Sequence, residues 1–406
     1  MNYFNLITLR KAMKPLQVFV VAMAMFMAGS VQAGGGADMH TLESLVETIK
    51  EQQRQLEALQ KQVEHLKEVA TAADSHAKHA VAEASKKHGV VVYGSLRPSL
   101  TYSDFDTDTT YDVTDFLSRV GIKGHVDISE GLTAIYQGEW DVDIEANGDF
   151  GDARQAYVGL RTGLGQIAIG KQWDPHFNIV AEVTDIFNHR SSPFGYDEIS
   201  PFRTNQLVTY MAHMGGLSLQ AGARFDGTPD NSAGGAEDGS SEPDDMDAGS
   251  VGIGYSMGPL YAGVSYLEEH GAEDFERSFT GLGASMNVSE NLYLAVTYQD
   301  IEVDHNPVDN MDYDQSSIDL AAAMGLGGGY KLKASYFDRD GDDQMLLNDN
   351  GDPYPRRSFD GYNLTLENQL NKNLRVHLEW LQRDIEHGEE EDHISVGFRY
   401  DFEAEL

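Results

Sequence analysis

The chain has 406 residues, a formal charge of −37, 41% hydrophobic residues and no cysteine. That acidity excludes nucleic acid as a partner, because binding phosphates needs clustered Lys and Arg. The absence of cysteine excludes a disulfide scaffold and a thiolate zinc site, and it suits an oxidising compartment.

Taken in chain order, the first segment is a secretory leader. Arg10, Lys11 and Lys14 precede the apolar run "LQVFVVAMAMFMAG", and Val31-Gln32-Ala33 is a small-x-small cleavage signature. Residues 1–33 therefore read as a signal peptide. The apolar run has fourteen residues, too few for a membrane span of roughly twenty.

Residues 34–70 carry a heptad. Leu42, Ile49, Leu56 and Val63 fall at a, and Leu45, Gln52, Leu59 and Leu66 at d. A strict 3.5-residue repeat imposes a left-handed supercoil, with polar Gln52 fixing register or strand number. A coiled coil this short draws its partners from other chains. Residues 71–89, rich in Ala and His, read as a helical tether.

From residue 90 to residue 402 the period becomes two. Sixteen alternating runs are expected: 90–104, 116–128, 131–145, 152–162, 165–173, 203–213, 216–226, 248–257, 259–268, 276–288, 290–302, 316–325, 329–338, 357–369, 373–386 and 392–402. Tight turns such as "SEG" at 129–131 alternate with long linkers such as 105–115, 174–202 and 227–247. That parity belongs to a transmembrane barrel with short periplasmic turns and longer outer loops. In the last run, Ile394, Val396, Phe398, Tyr400 and Phe402 alternate with His393, Ser395, Gly397, Arg399 and Asp401. The first set suits lipid and the second a water-filled lumen. Residues 403–406 follow as an acidic tail.

"VVYGSLRPSLTY" at 91–102, "SRVGIKGHVDISEGLTAIYQGEW" at 118–140 and "ARQAYVGLRTGLGQIAIGKQW" at 153–173 resemble the general trimeric porins of Gram-negative outer membranes. The resemblance implies an all-β fold: a 16-stranded antiparallel barrel, assembled as a homotrimer, with its third loop folded into the lumen. That loop is 174–202, "DPHFNIVAEVTDIFNHRSSPFGYDEISPF". By the same resemblance, Asp185 stands at the acidic side of the constriction, with Asp197 and Glu198 replacing a glutamate missing before Phe194. Arg97, Arg119, Arg154 and Arg203 form the basic side. A trimer would also make the N-terminal heptad a three-stranded periplasmic coiled coil.

The implied function is passive diffusion of ions and small hydrophilic solutes, with cations preferred because of the acidic balance. The alternatives are an anion- or phosphate-selective porin, or a structural trimer tethering the membrane through its coiled coil. Expected partners are the chain itself, outer-membrane lipid and lipopolysaccharide, with peptidoglycan or a periplasmic protein as further candidates for the coiled coil. No cofactor, metal or catalytic residue is assigned. "DRDGDDQ" and "NDNGD" lack the glycine and glutamate positions of a calcium loop. His125, His377 and His393 fall on the lumen parity with no glycine-flanked nucleophile nearby.

Overall fold

The computed structural model describes residues 88–105, 108–189, 202–225, 246–271, 275–306, 308–347, 353–388 and 390–406. The expected signal peptide, the coiled coil with its core from Leu42 to Leu66, residues 71–87 of the tether, Asp197 and Glu198 lie outside the described residues.

The described chain is almost entirely strand. In order it forms β1 (His88–Leu96), β2 (Pro98–Phe105), β3 (Asp108–Asp115), β4 (Arg119–Ser129), β5 (Leu132–Val142), β6 (Phe150–Thr162) and β7 (Gly165–Trp173). Two short helical turns follow, α1 (Pro175–Ile179) and η1 (Ala181–Val183). Next come β8 (Arg203–Met214), β9 (Leu217–Arg224), β10 (Ala248–Met257), β11 (Leu260–His270), β12 (Glu276–Ser289), β13 (Leu292–Asp304), β14 (Tyr313–Gly327) and β15 (Tyr330–Gly341). After a small hairpin, β16 (Gln344–Leu347) and β17 (Pro353–Arg356), the chain ends with β18 (Phe359–Gln369), β19 (Leu374–Ile385) and β20 (Glu390–Glu405).

Eighteen of these segments belong to one antiparallel sheet, and β20 returns to pair with β1 and β2. The pairs β1/β2 and β3/β4 are each one stave broken in the middle, so the closed wall has sixteen staves. Closure leaves no unpaired edge, which a sheet inside a bilayer requires.

Both breaks have local causes and lie side by side. Pro98 cannot donate to the ladder. Arg97 N instead donates to Ser118 Oγ at 2.7 Å, and Phe116 N donates to Arg97 O at 2.9 Å. Leu117 adopts φ 67°, and Asp115 Oδ1 caps the break by accepting from Ser118 N at 2.7 Å. The offset carries Arg97 and Phe116 into the interior.

Two expected boundaries change. The linker at 105–115 is mostly β3, where Thr109, Thr110, Tyr111 and Val113 favour strand and Tyr111 stacks on Tyr102 at 5.0 Å. Its aspartates suggested loop, yet Asp108 and Asp112 sit exposed on the inward parity and accept from Thr109 N and Val113 N, both at 2.8 Å. The acidic end at 403–406 continues β20: Glu403 pairs with Tyr93, and Leu406 N donates to Val90 O at 3.0 Å.

Outward positions form an apolar band, with Ile122, Val158, Ile169, Ile253, Leu282 and Leu364 all exposed. Near the loop end it passes into tyrosines and then carboxylates; Tyr266 and Tyr336 donate to Glu268 and Asp338. Asp338, Asp360, Asp384 and Glu390 stand opposite one another across four adjacent strands.

The inward parity departs from the expected charged lining on one side. Leu267, Phe275, Phe279, Ile301, Val303 and Tyr313 point inward from β11–β14 and pack into a buried cluster. That side of the barrel is a core. The other side, on β19, β20, β1 and β4–β6, carries charge that water reaches.

Candidate pore constriction

The loop after β7 starts from a clamp. Asp174 Oδ1 accepts from His176 N at 2.7 Å, capping α1 with Pro175 in the first turn. Trp173 stacks on Phe177 at 4.1 Å, and Phe202 meets Phe177 edge-on at 5.1 Å. Arg203 lies 4.9 Å over the Trp173 ring. Arg203 therefore braces the base of the loop, where it had been expected among the constriction arginines.

From the clamp the loop runs inside the barrel along β9–β13. It fits because the wall there is glycine. A Cβ on Gly283 would meet the Val180 carbonyl at 2.6 Å, and one on Gly263 would meet the Ile179 carbonyl at 2.5 Å. Polar clips fix the contact. His176 Nε2 bonds Gln299 Oε1 at 2.5 Å and its Nδ1 meets Ser265 Oγ at 2.8 Å. Burial pulls the His176 pKa down to about 4, so the ring is neutral, donating to Gln299 and accepting from Ser265. Tyr261 and Tyr293 hydroxyls donate to the carbonyls of Ile179 and Val183 at 2.8 and 2.7 Å.

Further along, Lys333 Nζ donates to Ile186 O at 2.7 Å, and Phe187 packs on Ala295 and Ala321. At the end of the described stretch, Asn188 N and His189 N donate to Glu379 at 3.1 and 2.8 Å. The His189 ring lies 4.7 Å from Phe116, which the stave break delivers. The described part of the loop, residues 174–189, thus follows the wall from β9 to β19, and the His189 ring reaches His393 on β20 at 5.2 Å.

The loop's carboxylates Glu182 and Asp185 are exposed. They sit three residues apart, Glu182 within η1 and Asp185 just beyond it. Across from Asp185, Arg119 on β4 and Arg399 on β20 are 23% and 26% exposed, so water reaches both. Arg97 is buried and donates to Ser95 Oγ at 2.9 Å. Arg154 is buried between Glu139 at 2.9 Å and Asp141 at 3.0 Å, and Tyr93 donates to the same Glu139 at 3.0 Å. Asp185 feels Arg97, Arg119, Arg399 and Arg154, yet its enclosed position outweighs their pull and its pKa rises. That of Glu182 rises too, from burial and then from Asp185.

The structure sets Arg97, Arg119 and Arg154 where they act on Asp185, and Arg203 at the base of the loop. Sequence reasoning missed Arg399, Arg375 and Glu182 as site residues. Arg399 and Arg375 had the correct parity, but only barrel closure sets β20 beside β1, with Ser95 between Asp401 and Arg119. Glu182 was legible as a carboxylate one turn before Asp185.

A family model described as Gram-negative porin matches residues 69–403. Outer membrane protein U of Vibrio vulnificus is 27% identical over 199 residues, 48% of this chain and 56% of that protein. The chain thus spans little more than half the length of that relative. Among solved structures, the anion-selective porin from Comamonas acidovorans superposes with a TM-score of 0.62 at 20% identity, covering 78% of this chain and 100% of that one. The trimer form of OmpT from Vibrio cholerae gives 0.56 at 18% identity, covering 78% and 100%. At these identities the superpositions speak for the fold.

Proposed function

This chain belongs to the Gram-negative porin family, and from that premise we propose that each barrel is a water-filled outer-membrane channel for passive diffusion of ions and small hydrophilic solutes. Three barrels associate, as in the OmpT trimer, and the apolar band sits in outer-membrane lipid and lipopolysaccharide. The N-terminal heptad binds its two copies in the periplasm, and peptidoglycan or a periplasmic protein is its further candidate partner. Loop 174–202 narrows the pore, and the pore prefers cations. Members of the family are channels and not enzymes.

One observation supports the narrowing: Asp185 is wetted on the loop while arginines act on it from the wall of β1, β4, β6 and β20. Opposed charges set a transverse field across a narrow neck, which dipolar solutes cross by orienting and apolar ones enter poorly. The sign of selectivity follows from what is left unpaired. The wetted arginines each have a carboxylate within 4.0 Å: Arg119 has Glu139 at 3.9 Å, Arg375 has Asp401 at 3.2 Å and Arg399 has Asp401 at 2.8 Å. Glu182 and Asp185 form no ion pair among the described residues. The chain's net charge of −37 acts in the same direction on the approaches.

An anion- or phosphate-preferring pore is the second reading. It is favoured by the convergence of Arg97, Arg119, Arg375 and Arg399 on one sector, and the similar Comamonas acidovorans protein is described as anion-selective. The reversal potential across a tenfold KCl gradient in a planar bilayer separates the two. The cation reading predicts a cation-selective potential that shrinks in Asp185→Asn and further with Glu182→Gln. An anion-selective potential in the unaltered chain would overturn it.

A further inference from the structure

We propose that Glu379 is the positioning residue that holds Asn188 and His189 of loop 174–202 against the wall and so sets the width of the neck; this rests on that loop constricting the pore. Glu379 points inward from β19 and is 1% exposed. It accepts five hydrogen bonds: from Asn188 N and Nδ2, both at 3.1 Å, His189 N at 2.8 Å, Asn363 Nδ2 at 2.9 Å and Thr365 Oγ1 at 2.8 Å. Two successive backbone N–H groups of the loop thus close on one carboxylate, an anion nest with the anion supplied by the barrel.

All five donors are neutral, and no arginine or lysine forms an ion pair with Glu379 among the described residues. Three of its five bonds go to the loop. Asn363 and Thr365, on the neighbouring strand β18, aim it. The position matters because Asn188 lies three residues beyond Asp185. Between them the chain is held by the Lys333 bond to Ile186 O, by the bond of Ile186 N to Thr184 O at 2.8 Å, and by the packing of Ile186 and Phe187. Freed from Glu379, the segment 186–189 can swing and carry Asp185 toward or away from Arg119 and Arg399.

The chemistry distinguishes a latch from a mere space-filling side chain. A carboxylate offers acceptors only, whereas glutamine of the same shape presents an NH₂ donor. In Glu379→Gln one oxygen that faces Asn188 or His189 N–H is replaced by a donor, so packing is kept and the latch is broken. Asp at 379 keeps the acceptors on a shorter stem.

The test is single-channel recording of the full-length trimer, unaltered and with Glu379→Gln, Glu379→Asp and Asn188→Ala, beside Asp185→Asn. The latch predicts partial closures about tenfold more frequent in Glu379→Gln, the effect of one broken buried hydrogen-bond site on a two-state segment. Glu379→Asp recovers part of the quiet trace, and Asn188→Ala, which removes one donor, lies between. If Glu379→Gln does not assemble, Asn188→Ala alone decides between noisy and wild-type traces. Wild-type traces in Glu379→Gln and Asn188→Ala would overturn the latch. If Asp185→Asn still shifts the reversal potential in that case, the constriction stands without the latch. If Asp185→Asn is silent as well, the constriction itself fails.

Discussion

Two arginine–carboxylate–arginine triads stand on opposite sides of the barrel interior. On β9–β12, Glu269 takes Arg224 at 2.7 Å and Arg277 at 2.5 Å, and all three side chains are at most 5% exposed. On β19 and β20, Asp401 takes Arg375 at 3.2 Å and Arg399 at 2.8 Å, with side chains 24–31% exposed. Arg277 is roofed by aromatics, 5.2 Å from Phe279 and 5.9 Å from Phe275; Arg399 faces water and the carboxylates of loop 3. The same motif is structural where it is dry and electrostatic where it is wet. What decides is whether apolar residues share its face.

The largest expected effect comes from breaking the dry triad. Glu269→Ala removes the carboxylate shared by two buried guanidiniums and should lose about 3–5 kcal/mol, seen as a collapse of the melting temperature in detergent, while correctly folded protein keeps the wild-type reversal potential. Asp401→Asn in the wet triad should do the reverse: less than about 1 kcal/mol lost, because water screens the pair, with the reversal potential displaced toward anions. A reversal potential that moves equally in both would erase the distinction.

Next in size is the loop's seat. Gly283→Val drives a side chain into the Val180 backbone and should cost about 1–3 kcal/mol as overpacking. Because it displaces the loop, single-channel conductance should change with it. A normal melting curve with normal conductance would mean the loop does not rest there.

Acidification is a gentler probe. The pKa values of Glu182 and Asp185 are raised, so both lose charge at a higher pH than free carboxylates do. As pH falls, cation preference should therefore decline before the acids on the outer surface of the barrel titrate. Glu182→Gln with Asp185→Asn should flatten that early part of the curve. The smallest effect belongs outside the lumen. Asp360→Asn interrupts the row of facing carboxylates and should stabilise the rim by about 0.2–1 kcal/mol in thermal unfolding, with no change in current.

Most of the wall was legible because a strand in a membrane has two unlike faces, and alternation such as Ile394/His393 or Leu378/His377 reports them directly. β3 was hidden by its aspartates, since the usual equation of Asp with loop fails where one strand face is wet. The dry half was hidden for the converse reason. In "ERSFTGLGAS" the inward parity reads Arg277, Phe279, Gly281 and Gly283, and a lumen-facing Phe next to paired glycines is the mark of something packed inside. Asp185 was readable from its loop, but Glu379 was not: its partners Asn188 and His189 are about 190 residues away, and only the closed barrel brings them together.

The division into a conducting and a packed half is tested most directly by substituted-cysteine accessibility, for which this chain, having no cysteine, is a clean background. Cysteines placed singly at Glu182 and Arg399 on the wet side, and at Phe279 and Ile301 on the dry side, would be exposed to a charged methanethiosulfonate during bilayer recording. The two wet-side variants should lose current as the reagent reacts, and the two dry-side variants should conduct unchanged. Block at Phe279→Cys or Ile301→Cys would place the water path through the half assigned here to a core, and would contradict the account.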